Sequence, residues 1–219
     1  MISLSSLSTG DSWNYNAYGL RRVINFGDDT SDTGNYYAIK NKTEPSSNYY
    51  YKGRFSNNMV WPETLAQRLN IDIINYAYAF ATADNRFFEL SGKDKVPGCT
   101  QQVEKFLEDH PYEEFGGDDH IATFAFHGME LVHGNPDPDY AAEVTGECIA
   151  KLVNAKRMGH VVILANYPYD LVPRYRGDPR FKHYYAAKDT KMAEIIPTLK
   201  AKFPETMFHA LDFQGIPQS

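Results

Sequence analysis

Three carboxylates crowd the stretch FGDDTSDTGN (Phe26–Asn35): Asp28, Asp29 and Asp32, directly after the short apolar run VIN. A second polar knot, HGMELVH, sets His127, Glu130 and His133 three residues apart. Carboxylates in such company can do two kinds of chemistry. Two held close together push their pKa values apart, so one donates a proton and the other accepts it. Three around a cation can ligate a divalent metal, and Asp28, Asp29 and Asp32 are the residues that would do so. Three oxygens without a defined geometry specify little, so neither a resident metal nor a cofactor is expected. His127 and His133 by themselves read as packed or surface imidazoles.

These residues must be held by something, and the chain offers an alternating frame. Five short runs are apolar almost throughout: Arg22–Phe26, Ile71–Tyr76, Ala122–His127, His160–Tyr167 and Met207–Phe213. That pattern suits strands covered on both faces. Helical stretches lie between them. WPETLAQRL carries Pro62 in its first turn, where a missing N–H costs nothing. PGCTQQVEKFLEDH sets Val103, Phe106 and Leu107 at helical spacing. DPDYAAEVTGECIAKLVNAKRMG starts near an Asp cap and ends on Lys156, Arg157 and a glycine stop at Gly159. FKHYYAAKDTKMAEIIPTLKAKF is long, and Pro197 should kink or split it. GGDDH (Gly116–His120) reads as a solvated turn before the third strand.

Strand–helix alternation predicts an α/β fold: a three-layer α/β/α domain over residues 1–219, with a five-stranded parallel sheet. Ligands of such sheets bind outside the carboxyl ends of the strands. The loops Gly27–Asn35, Ala77–Asn85 and Gly128–Asn135 are therefore where chemistry belongs.

Bulk composition narrows the partners. A chain of 219 residues with 42% apolar and 23% charged residues is ordinary for a globular protein. A net charge of −6 without a basic stripe argues against nucleic acid. No run is long enough for a membrane span, and the first residues lack the pattern of a signal peptide, so a cytoplasmic protein is expected. The two cysteines, Cys99 and Cys148, read as free thiols rather than a disulfide. The 16 Tyr and 13 Phe allow an aromatic-lined pocket for an apolar small molecule.

The blocks in those three loops resemble the GDSL lipase/esterase family, which has the SGNH-hydrolase fold, and the resemblance implies a flavodoxin-like sheet in the order 2-1-3-4-5. FGDDTSDTGNYY is similar to its first block, GRFSNNMVWPETLA (Gly53–Ala66) to the segment that follows, NYAYAFATADN (Asn75–Asn85) to its second block, and FHGMEL (Phe126–Leu131) sits where its third belongs. The resemblance keeps block order and spacing over nearly the whole chain. It implies that Asp28 and Asp32 hold the first loop by hydrogen bonds and that Arg54 braces it. It also implies that the loop YPYDLVPRY after the fourth strand lies beside the substrate.

Departures from the family pattern fall on its reacting groups. The nucleophilic serine aligns with Asp29, the second-block glycine with Phe80, and the third-block asparagine with Glu130. No Asp-x-x-His occurs, and the chain ends at FQGIPQS where that closing block would follow, as in a C-terminally shortened domain. Acyl transfer needs an activated nucleophile, a base and oxyanion donors, so a serine esterase is not expected. The replacements put carboxylates where the family keeps its reacting groups. Asp29 and Glu130 should then face one another, with Asp29 ionised near a helix N-terminus and Glu130 the raised, proton-donating carboxyl. Such a pair could run isomerase, lyase or cyclase chemistry on a ligand lined by Phe80, Tyr78, His127, Asn35, Tyr167, Tyr169 and Arg174. The alternatives are an inactive pseudoenzyme that binds a small molecule or protein partner, and a residual GDSL-type ester hydrolase. A homodimer covering an exposed flank is a further expectation.

Overall fold

A computed structural model of the protein describes residues 19–85, 95–112, 117–134, 137–166 and 175–211. The apolar runs become the parallel strands β1 (Arg22–Gly27), β2 (Asp72–Asn75), β3 (Gly117–Ala125), β4 (Met158–Leu164) and β5 (Met207–Leu211). They form one sheet in the order β2-β1-β3-β4-β5, every neighbouring pair parallel. The expected α/β sheet and its strand order are borne out. The connections carry the helices α1 (Asn35–Ile39), α2 (Trp61–Leu69), α3 (Cys99–Asp109), α4 (Met129–Val132), α5 (Pro138–Lys156) and α6 (Pro179–Lys202).

Burial explains the continuous apolar runs. Five of the six residues of β1 are buried, as a strand with neighbours on both sides requires. Ile24, Phe26, Ala122, Phe124, Val161, Ile163 and Phe208 share one sheet face and pack with Val103 and Phe106 of α3 and Ile149, Leu152 and Val153 of α5. Phe26 stacks on Phe124 at 5.1 Å and meets Phe106 edge-on at 5.8 Å. Burying each such ring contributes about 1.5–3 kcal/mol. This core fixes β1 and β3 side by side, and so fixes where their following loops emerge.

Three local expectations are corrected. Gly117–His120 is not a solvated turn: it is the start of β3, with Gly117 N–H donating to Arg157 O and Asp119 O accepting from Arg21 N–H. Gly159 is not a helix stop, because α5 ends at Lys156 and Arg157 itself takes the left-handed cap at φ 49°. Gly159 lies in β4, where a Cβ would stand 2.7 Å from Gly117 O and 2.4 Å from an Asp118 carboxylate oxygen, so the strand crossing needs a glycine. Pro197 does not split its helix, and α6 runs unbroken from Pro179 to Lys202. Pro197 and Ala193 are both exposed, so water can satisfy the carbonyl that the proline leaves without a donor.

Candidate functional site

The first loop begins at Gly27, the end of β1. A Cβ there would stand 2.8 Å from Ala125 O and 2.9 Å from Ser31 Oγ, so only glycine fits. Buried Gln102 of α3 accepts from Gly27 N–H at 2.9 Å and donates to Gly27 O at 2.9 Å. Asp28 then turns the chain: its carboxylate accepts from Thr30 N–H at 3.1 Å, Thr30 Oγ1 at 2.9 Å and His127 N–H at 2.6 Å, and lies 3.3 Å from His127 Nδ1. Burial works to raise the Asp28 carboxyl, but the charge and hydrogen bonds of His127 outweigh it and hold the group below its usual value.

Asp32 closes the loop. Its two oxygens accept from the backbone N–H groups of Gly34 at 2.7 Å, Asn35 at 2.6 Å, Tyr36 at 3.0 Å and Ala79 at 2.9 Å. The first three N–H groups are the start of α1, so Asp32 takes the helix terminus, and the fourth ties the first loop to the second. Asn35 supports that tie, donating to Asn75 O and Ala77 O at 2.9 Å each. Asn35, expected to line the ligand, joins the two loops through its side-chain amide. Arg54 forks onto Glu63 of α2 and donates to Lys52 O at 2.7 Å. Its brace thus secures α2 and the chain beside Gly34 rather than the first loop itself.

Between these two satisfied aspartates sits one that is not. One oxygen of Asp29 is buried and has no hydrogen-bond partner. Burial, then the charges of Asp28 and Asp32, push the Asp29 carboxyl up to about 8, with only its own backbone N–H acting the other way. The expectation of an ionised Asp29 is therefore corrected. The helix terminus that would have favoured its charge is taken by Asp32. At neutral pH Asp29 is mainly the neutral acid, a hydrogen-bond donor.

Glu130, the other half of the expected pair, is engaged elsewhere. Gly128, at φ 85°, turns the chain into α4 and brings Glu130 into the core, 1% exposed. There Glu130 Oε1 accepts from Ala83 N–H at 2.6 Å and Oε2 from the Tyr184 hydroxyl at 3.2 Å. Burial and the Glu130 charge push the Tyr184 phenol far up, which keeps it a donor. Glu130 is thus a clasp between the second loop, α4 and α6.

Phe80 holds a left-handed backbone, φ 68°, at the position that the resemblance gives to glycine. Its ring meets Tyr36 at 5.1 Å and Phe55 at 5.3 Å, both edge-on, and its carbonyl lies 3.3 Å from His133 Nε2. Burial lowers the His133 pKa, against the Phe80 carbonyl and Glu130. Replacing glycine by Phe80 leaves a backbone N–H in place, since that donor belongs to the chain and not the side chain. Half-buried Tyr78 packs against the core, and its backbone N–H donates to Gly27 O at 3.1 Å. Tyr167, Tyr169 and Arg174 lie outside the described residues. Among the described residues no three His, Cys, Asp or Glu side chains converge to hold a metal, Asp28, Asp29 and Asp32 included.

Sequence reading missed Gln102, Ala83 and Tyr184, which position the loops from 75, 47 and 54 residues away. The only sequence signal was a polar residue, Gln102, beside the apolar stripe of α3. A hollow of about 770 Å³ lies far from this chemistry. It is lined by Gly117, Lys156–Gly159 and Lys202–Thr206, at the amino ends of the strands. A hollow of about 370 Å³, lined by Leu131, Gly134, Pro138, Arg180, His183 and Tyr184, backs onto the Glu130 clasp.

The sheet order is the one the resemblance implies, and the resemblance to GDSL-type proteins is borne out by comparison with known proteins. A solved family two carbohydrate esterase from Clostridium thermocellum superposes with a TM-score of 0.55 at 10% identity, over 87% of this chain and 53% of that one. The thermolabile hemolysin of Vibrio parahaemolyticus is 34% identical over 73 residues, 33% of this chain and 18% of the hemolysin. The phosphatidylcholine-sterol acyltransferase of Aeromonas hydrophila is 44% identical over 63 residues, 28% of this chain and 19% of the acyltransferase. The matched segments thus span less than a fifth of either relative. No family model matches the chain. Among the described residues, no helix is long and apolar enough to cross a membrane.

Proposed function

We propose that this centre is not a serine esterase but binds an apolar small molecule bearing an acyl or carbonyl oxygen, with neutral Asp29 as the donor to that oxygen. The observation that carries this reading is the Asp29 carboxyl, pushed up to about 8 with one buried oxygen lacking a partner. An acid in that state attacks esters poorly but donates a hydrogen bond well. An acyl-bearing ligand is supported by the matched acyltransferase, whose name denotes transfer of an acyl group.

The test is calorimetric titration with a non-hydrolysable alkyl ketone, alongside hydrolysis of a chromogenic acyl ester. Wild type and Asp29→Asn, which keeps a neutral donor, should bind the ketone at pH 7, and Asp29→Ala should bind at least tenfold more weakly. Affinity of wild type should fall above pH 8, and that of Asp29→Asn should not. Ester turnover that Asp29→Ala abolishes would overturn the proposal in favour of a residual hydrolase.

A second reading is favoured by the same group. A carboxyl that titrates near neutrality suits general acid catalysis, so Asp29 would donate its proton in an isomerase or lyase reaction. Asp29→Asn separates the two readings: ligand binding survives in both, whereas proton transfer is lost.

A further inference from the structure

The stretch from Tyr36 to Val60 holds four of the chain's 22 basic residues but one of its 28 acidic ones, Glu44, and five of its 16 tyrosines. It is a basic, aromatic segment in a chain of net charge −6. Burial there is inverted. Tyr49 is 81% exposed, Ile39 49% and Tyr50 38%, three of the seven large hydrophobic side chains that face solvent among the described residues. Arg54 is taken by Glu63, and Glu44 by the Tyr36 hydroxyl and Lys40. Lys42 and Lys52 are exposed and pair with no carboxylate among the described residues.

Packing gathers these side chains on one face. Lys42 N–H donates to Tyr37 O at 2.9 Å. Gly53, the neighbour of Lys52, lies so close to Tyr37 that a Cβ would stand 2.6 Å from its ring. The two lysines therefore flank Tyr37. Ile39 follows Tyr36 by one turn on the same side of α1. The Tyr36 ring lies 5.9 Å from Phe55, and Phe55 lies 5.5 Å from Tyr50. Tyr49 and Tyr50 both donate their N–H groups to Ser46 O at 3.1 Å, which fixes the turn that carries them. Phe55 also meets Phe80 at 5.3 Å, so this face continues into the second loop of the candidate site.

We infer that this face, with Ile39, Lys42, Tyr49, Tyr50 and Lys52 at its surface, docks on an anionic lipid bilayer. Tyrosine suits the boundary between headgroups and acyl chains, because its ring is apolar and its hydroxyl is not. The unpaired lysines meet the lipid phosphates, and the attraction falls off within a Debye length. The rest of the molecule carries the excess of carboxylates and is repelled by the same surface, so charge alone turns this face toward the membrane. Few apolar side chains enter the interface, so docking is peripheral and reversible. It brings the loops at the carboxyl ends of β1 and β2 up to the lipid.

The experiment sediments the whole protein with vesicles of phosphatidylcholine, or of equimolar phosphatidylcholine and phosphatidylglycerol, over a range of lipid and salt concentrations. Binding should be at least about tenfold tighter to the anionic vesicles and should be lost as salt rises. Lys42→Gln and Lys52→Gln should each weaken it about fivefold, the worth of one lysine at an anionic surface. Tyr49→Ser should weaken it severalfold at constant salt, with an unchanged urea midpoint. Lys182→Gln, an exposed change on α6, should leave it as it is. Equal binding to both vesicles, no binding to either, or an equal loss in Lys182→Gln would overturn the inference. Binding that follows the lysines but ignores Tyr49, and that heparin competes away, would mark a general polyanion surface and overturn it too.

Discussion

Gln102 grips Gly27 by both of its backbone groups, accepting from the N–H and donating to the carbonyl at 2.9 Å each. A side-chain amide carries a donor and an acceptor side by side, so it can answer both backbone groups of one residue. It ties the end of β1 to α3 where the first loop begins. Gln102→Leu keeps the volume and leaves Gly27 O its bond from Tyr78 N–H, but strands the buried Gly27 N–H. The expected loss is about 1–3 kcal/mol, read as a lower urea midpoint with an unchanged slope.

Asp29 should make stability fall with rising pH. Its folded value, about 8, lies above the unfolded value of 3.8. Between those limits the folded state holds a proton that the unfolded state has released, so each pH unit favours unfolding. The slope is at most about 1.4 kcal/mol per unit, and smaller because Asp29 is only half-buried overall. Asp29→Asn should flatten this dependence and be more stable than wild type at pH 8. Urea titrations at pH 5, 6.5 and 8 measure it, and an unchanged slope in the variant would refute the assignment.

The Glu130 clasp predicts a stability effect without a change of charge. Tyr184→Phe removes the donor to Glu130 Oε2 and leaves a buried carboxylate oxygen unanswered. The cost should be about 1.5–3 kcal/mol, the range for hydrogen bonds to charged groups. Ketone affinity at pH 7 should change less than twofold, because the donor in the proposed site is Asp29.

Asp28 and His127 are buried together, 0% and 2% exposed. Removing either side chain takes one partner from the other, and a hydrogen bond to a charged group is worth about 1.5–3 kcal/mol. Because the Asp28 carboxyl lies below its usual value in the folded state, its contribution is present above the unfolded value and is lost as the pH falls through the folded one. His127→Asn and Asp28→Asn should each destabilise strongly, and the double variant should lose clearly less than the two losses added. Additive losses would show that the two side chains do not support each other.

Much of the frame was legible in the residues. Runs such as HVVIL are apolar on both alternations, as strands covered on both faces allow; parallel pairing follows from the helices between them, and the 2-1-3-4-5 order from the family resemblance. The block order marked the loops at the carboxyl ends of β1, β2 and β3. Local rules failed where a distant neighbour overrode them. Gly159 looked like a helix stop because it follows two cations, but it is small because Gly117 and Asp118 cross it. Pro197 looked like a break, but Met192 and Leu199 are buried on either side of it and α5 packs along the helix.

The sequence by itself determined which carboxyl groups could matter, because chemistry is carried by residue type and spacing. Which of them is neutral was decided by tertiary structure alone. Asp28, Asp29 and Asp32 are the same residue within five positions, and nothing local ranks them. Asp28 is answered by His127 from beyond β3, Asp32 by Ala79 and the start of α1, and Asp29 by its own backbone alone. Ionisation depends on desolvation and on partners brought from far along the chain, and those are properties of the folded molecule.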